Sequence, residues 1–85
     1  MYRFVVYKDV AGHYRWRLWS NSRVIADSGQ GYKQIKSVLR VFDTLACQLL
    51  KADKWVIKVH QSAKEAFQQH LKSNTHTLLG YKIKY

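Results

Sequence analysis

In the run HYRWRLW, Arg15, Arg17 and Trp19 alternate with Tyr14, Trp16 and Leu18. An extended chain would therefore carry two guanidinium groups and an indole on one side. A guanidinium holds phosphate oxygens through a planar fork of N–H donors, and an aromatic ring offers a face on which a base can stack. Tyr7 can join this set from the preceding strand, and Lys58 and Lys82 from later strands paired into the same sheet. The candidate contact set is thus Tyr7, Arg15, Arg17, Trp19, Lys58 and Lys82, the chemistry of a sheet that binds single-stranded nucleic acid. The same residues also make an ordinary solvated face, arginines and rings stacking to cover an open sheet. Neither an RNP-type aromatic motif nor a GXXG loop accompanies them.

Other reactive residue types do not assemble into a site. His13, His60, His70 and His76 show no ligand spacing, and with a single cysteine and few carboxylates no metal site is expected. Asp27-Ser28 with a distant histidine is not a triad signal. Cys47 lies off the centre of an apolar helical stripe with no base placed beside it by sequence, and reads as inert. Gly29-Gln30-Gly31 lacks the Lys-Ser/Thr of a phosphate loop and reads as a structural turn. No catalytic residues and no cofactor are expected, and the chain reads as a non-enzyme.

Composition narrows the partner class. The chain has 85 residues with 15 Lys+Arg against 5 Asp+Glu, a net charge of +10. Such an excess draws polyanions, although the basic residues are spread from Arg3 to Lys84 without a run of three. Its length suits one domain over residues 1–85, and its 47% hydrophobic content suits a packed core. The opening residues have no secretory-signal pattern, no apolar run approaches the roughly 20 residues of a membrane span, and one cysteine allows no internal disulfide. The expectation is a cytoplasmic protein with no membrane partner.

The elements that would position the basic face follow from periodicity. Residues 3–8, 13–19 and 23–28 read as strands joined by turns at Asp9-Val10-Ala11-Gly12 and Ser20-Asn21-Ser22, an antiparallel meander. Ile35, Val38, Leu39, Phe42, Leu45, Ala46, Leu49 and Leu50 recur at helical spacing. They predict a helix over 32–50, roughly 28 Å long, lying across the meander. Residues 54–60 read as a fourth strand with Trp55, Ile57 and Val59 on one face. Ser62 and Glu65 fit a capping box that opens a second helix, and residues 79–85 read as a last strand with Lys82 and Lys84 on one side. The expected fold is α+β in two layers, a mainly antiparallel sheet with helices on one face, in the order β-β-β-α-β-α-β. Its other face is then solvated or buried in a partner.

The strings Phe4-Val5-Val6-Tyr7-Lys8-Asp9, Gly12-His13-Tyr14-Arg15-Trp16-Arg17-Leu18, Ile25-Ala26-Asp27-Ser28-Gly29 and Gly31-Tyr32 resemble the YegP-like domain family. The resemblance covers residues 3–48, leaving 54–85 as a β-α-β extension without a second copy of the motif. It implies a three-stranded antiparallel sheet backed by one helix. It supplies no catalytic residues, and the family's function is unassigned. Members often carry two tandem copies or pair a single copy with another chain, which implies a homodimer here. Ser22 stands where the family usually has a turn glycine. Two functional expectations result: a basic module that contacts nucleic acid through its sheet face, and a homodimeric interaction module whose charge serves solubility. Leu78-Leu79 and Tyr85 mark an edge that could serve the second.

Overall fold

A computed structural model of the chain describes residues 2–49, 55–73 and 82–85. Strand β1 (Tyr2–Lys8) leads through a short turn to β2 (Tyr14–Ser20) and then to β3 (Arg23–Asp27). Helix α1 (Ile35–Leu49) precedes β4 (Trp55–Val59), and a 3-10 turn (Gln61–Ala63) precedes helix α2 (Lys64–Ser73) and strand β5 (Lys82–Lys84). The expected order therefore gains a 3-10 turn between β4 and α2.

All five strands form one sheet in the order β3-β2-β1-β4-β5. Pairings β1–β2 and β2–β3 are antiparallel, whereas β1–β4 and β4–β5 are parallel. The sheet is mixed, which corrects the expectation of a mainly antiparallel one. Hairpins reverse the chain, but a helix between two strands of one sheet carries it back to the end where it started, so the next strand runs parallel. The β-α-β order of the second half contained that signal.

Short turns set the hairpins. At the first, the Gly12 N–H donates to the Asp9 carbonyl and the Asp9 N–H to the His13 carbonyl, with Gly12 at φ 85°. This is a type I turn closed by a left-handed residue, which glycine adopts without steric cost. In the second, Ser20 pairs with Arg23 across a two-residue loop. The left-handed residue there is Asn21 at φ 56°, so Ser22 sits where no glycine is needed. After β3, Tyr32 pairs through both backbone groups with Tyr14, which delays α1 to Ile35 rather than 32.

Sheet and helices share one hydrophobic cluster. Phe4, Val6, Trp16, Leu18, Trp55, Ile57 and Val59 face inward from the strands, and Ile35, Val38, Leu39, Phe42, Ala63 and Phe67 meet them from the helical layer. Phe42 sits at its centre, 5.0 Å from the Phe4 ring and edge-on to Trp55 at 5.3 Å. The side chains of Ala46, Cys47 and Leu49, together with Leu50, His76, Leu78 and Leu79, lie outside the described residues. The capping box does not form as expected. Instead the His60 Nδ1 accepts from the Ser62 N–H at the start of the 3-10 turn, and Ser62 Oγ accepts from the Lys8 N–H. Among the described residues no helix is long and apolar enough to cross a membrane.

Candidate functional site

Because the inward residues of the strands are fixed by the core, the alternate residues must point away from the helices. Register aligns them in rows across the sheet. One row runs Asp27, Arg17, Val5, Lys58, Lys84 from β3 to β5, and the next runs Trp19, Arg3, Val56, Lys82 from β2 to β5. Arg15 and Tyr7 make a further pair at the end of β1 and β2. All six residues singled out from sequence therefore lie on the outward face of one sheet. Sequence reasoning missed Arg3 and Val5, although both follow from Tyr7 by the same alternation, and left out Lys84, one step beyond Lys82.

Contacts on this face divide the cations into held and open groups. Arg15 Nε donates to Asp9 Oδ2 at 2.6 Å, a partly exposed ion pair. Asp9 Oδ1 accepts from the Ala11 and His13 N–H groups. The Arg15 guanidinium, with the His13 backbone donor, holds the Asp9 carboxyl below its ordinary value, and Asp9 in turn raises Arg15. Arg15 is thus first a strut of the β1–β2 turn. The other two arginines lie on rings: Arg3 Cζ is 4.9 Å from the centroid of Trp19, and Arg17 Cζ is 5.2 Å from that of Tyr7. Lys58, Lys82 and Lys84 are exposed. Val56, though outward, is only 7% exposed, consistent with the aliphatic stems of its basic neighbours covering it.

Two shallow depressions open on this face. The first, about 420 Å³, is lined by Arg3, Val5, Tyr7, Lys8, Arg17, Trp19, Lys58 and His60. The second, about 410 Å³, is lined by Arg3, Asn21, Val56, Lys58, Lys84 and Tyr85. Arg3 and Lys58 line both, and no acidic side chain lines either. Among the described residues the Arg3 Nε, like the indole nitrogens of Trp16 and Trp55, is buried without a hydrogen-bond partner.

Elsewhere the chemistry is structural. Ser62 Oγ lies 2.8 Å from His60 Nδ1, but that nitrogen also accepts the Ser62 N–H, the geometry of a local turn. Among the described residues no three His, Cys, Asp or Glu side chains gather where they could hold a metal ion. Gly29-Gln30-Gly31 is a turn in which Gly31 packs on His13: a Cβ at Gly31 would stand 2.4 Å from the His13 Cβ.

A family model described as a domain of unknown function, DUF1508, matches residues 9–40. A UPF0339 protein of Agrobacterium fabrum is 40% identical over 45 residues, which cover 53% of this chain and 73% of that protein. The chain belongs to this YegP-like family. No solved structure matches it significantly. The DUF1508 match takes in the β1–β2 turn, β2, β3 and the start of α1, and so includes Arg15, Arg17 and Trp19. Arg3, Tyr7, Lys58, Lys82 and Lys84 lie outside it.

Proposed function

We propose that this YegP-like domain is a non-enzymatic binding module that contacts nucleic acid through its outward sheet face. One observation carries the reading: Arg3, Arg17, Lys58, Lys82 and Lys84 stand on the side of the sheet away from both helices, spread over four adjacent strands and interleaved with Tyr7 and Trp19. A face on which cations outnumber the one carboxylate of these rows, Asp27, concentrates a polyanion, and guanidinium groups give its phosphates oriented donors. Arg3, Arg17, Lys58 and Lys82 make the contact, with Tyr7 and Trp19 beside the two arginines. Arg15 contributes charge at the rim while its Nε remains with Asp9.

Salt dependence separates a site from diffuse attraction. Each phosphate contact contributes about −0.9 to the slope of log affinity against log salt on duplex DNA, so Arg17→Ala with Lys58→Ala should flatten it by about 2 units. Lys64→Ala with Lys72→Ala, on the exposed side of α2, should change it less. Equal effects from the two pairs would mean that net charge, and no site, accounts for binding.

A second reading is self-association, favoured by the edge strand β3, where Val24 and Ile25 remain 45% and 51% exposed. A free strand edge pairs readily with another chain. Light scattering across the micromolar range tests it: a dimer is expected, and monomer throughout removes the reading.

A further inference from the structure

The nucleic-acid reading leaves open which part of the polymer the face holds, and the ring contacts bear on that question. A base can stack on a ring only if the ring's face is open. Both rings of the candidate contact set already carry a guanidinium, Arg3 on Trp19 and Arg17 on Tyr7. A cation on an aromatic face gains electrostatic attraction, so a base stacking on that face would have to displace it. A guanidinium lying on a ring still presents N–H donors at its edge, held in a fixed plane that suits a phosphate. Arg3 is the arginine common to both depressions. It also stands with Lys58 between the two basic depressions, so neighbouring anions on either side would share it.

Resting on the nucleic-acid reading, we infer that the face grips successive phosphates of a phosphodiester backbone, with Arg3 as the central contact. Trp19 and Tyr7 act by holding Arg3 and Arg17 in place and do not stack on bases. The ligand is therefore a nucleic-acid backbone recognised without regard to whether its bases are paired.

The test compares a short mixed-sequence DNA duplex with one of its strands, at equal phosphate concentration, by fluorescence anisotropy over a salt series. The duplex should bind at least as tightly as the strand. Arg3→Gln should flatten the duplex salt slope by about 0.9. Trp19→Leu, which leaves the charge unchanged, should weaken both ligands by the same factor. Arg3→Lys keeps the charge but has no planar group to lie on the indole, and should retain the slope while losing affinity. A Trp19→Leu loss confined to the single strand, an unchanged slope in Arg3→Gln, or full affinity in Arg3→Lys would overturn the inference. Should Trp19→Leu fail to fold, wild-type indole emission decides: strong quenching by the strand alone means base stacking and overturns it, and equal responses to strand and duplex support it. If Arg17→Ala with Lys58→Ala also leaves the slope intact, the nucleic-acid reading falls with it. If that pair acts while Arg3 and Trp19 do not behave as stated, only the backbone inference falls.

Discussion

Asp9 closes the β1–β2 hairpin with both carboxylate oxygens, one on the Ala11 and His13 N–H groups and one on Arg15. Its folded value lies below the ordinary 3.8, so its contribution is present above 3.8 and is lost as pH falls through the folded value. Wild-type protein should lose stability in that acid window, and Asp9→Asn, already weakened at neutral pH, should lose less there; identical acid curves would contradict the assignment. Ser28 does comparable work deeper in the fold. It is 7% exposed and its Oγ accepts from the Trp16 N–H at 3.2 Å. Ser28→Ala leaves that N–H buried and bare, at a cost of about 1–3 kcal/mol. Gly31→Ala sets a methyl against His13 and should cost a similar amount, about 1–3 kcal/mol, by overpacking. Denaturant titration checks both. Asp9, Gly12, Arg15, Ser28 and Gly31 are among the residues that carry the YegP-like resemblance, and their contacts explain a turn, a buried hydrogen bond and a close approach.

At the scale of elements, the α1 stripe was legible because apolar side chains at three- and four-residue spacing have one way to leave water. Val38 and Phe42 are fully buried, and Phe42→Ala should cost about 3–5 kcal/mol in chemical denaturation. A change below about 1 kcal/mol would mean that the stripe is not core. Strand alternation was equally plain, and it placed Arg15, Arg17 and Trp19 on one side correctly. Pairing direction was hidden from that pattern, since alternation is the same in parallel and antiparallel strands; only the connecting helices reveal it. The cap of α2 was misjudged because Ser62 is drawn to the Lys8 N–H on β1, a partner 54 residues away that local sequence does not display. On α2 itself, burial pushes the His70 imidazole below its ordinary value of 6.5, with Lys36 adding to the shift and Asp43 opposing it. The unfolded chain then takes up the proton first, so stability should fall as pH drops from 6.5 toward the folded value. Thermal melting of His70→Gln should show a shallower loss between neutral pH and pH 5 than wild type.

Across the whole molecule, positive charge is not confined to one side: Lys33, Lys36, Arg40, Lys64 and Lys72 are exposed on the helical layer and its approach. Weak attraction to a polyanion is therefore expected anywhere at low salt, and binding alone says little. What distinguishes the sheet face is arrangement, because register brings Arg3, Arg17 and Lys58 together with two rings around shared depressions. Backbone amide shifts during titration with a short DNA duplex at moderate salt test this most directly. The account predicts perturbations clustered on β1, β2 and β4, at Arg3, Val5, Tyr7, Arg17, Trp19 and Lys58, with α1 and α2 little changed. Shifts spread evenly over both layers, or centred on Lys33, Lys36 and Lys64, would contradict it.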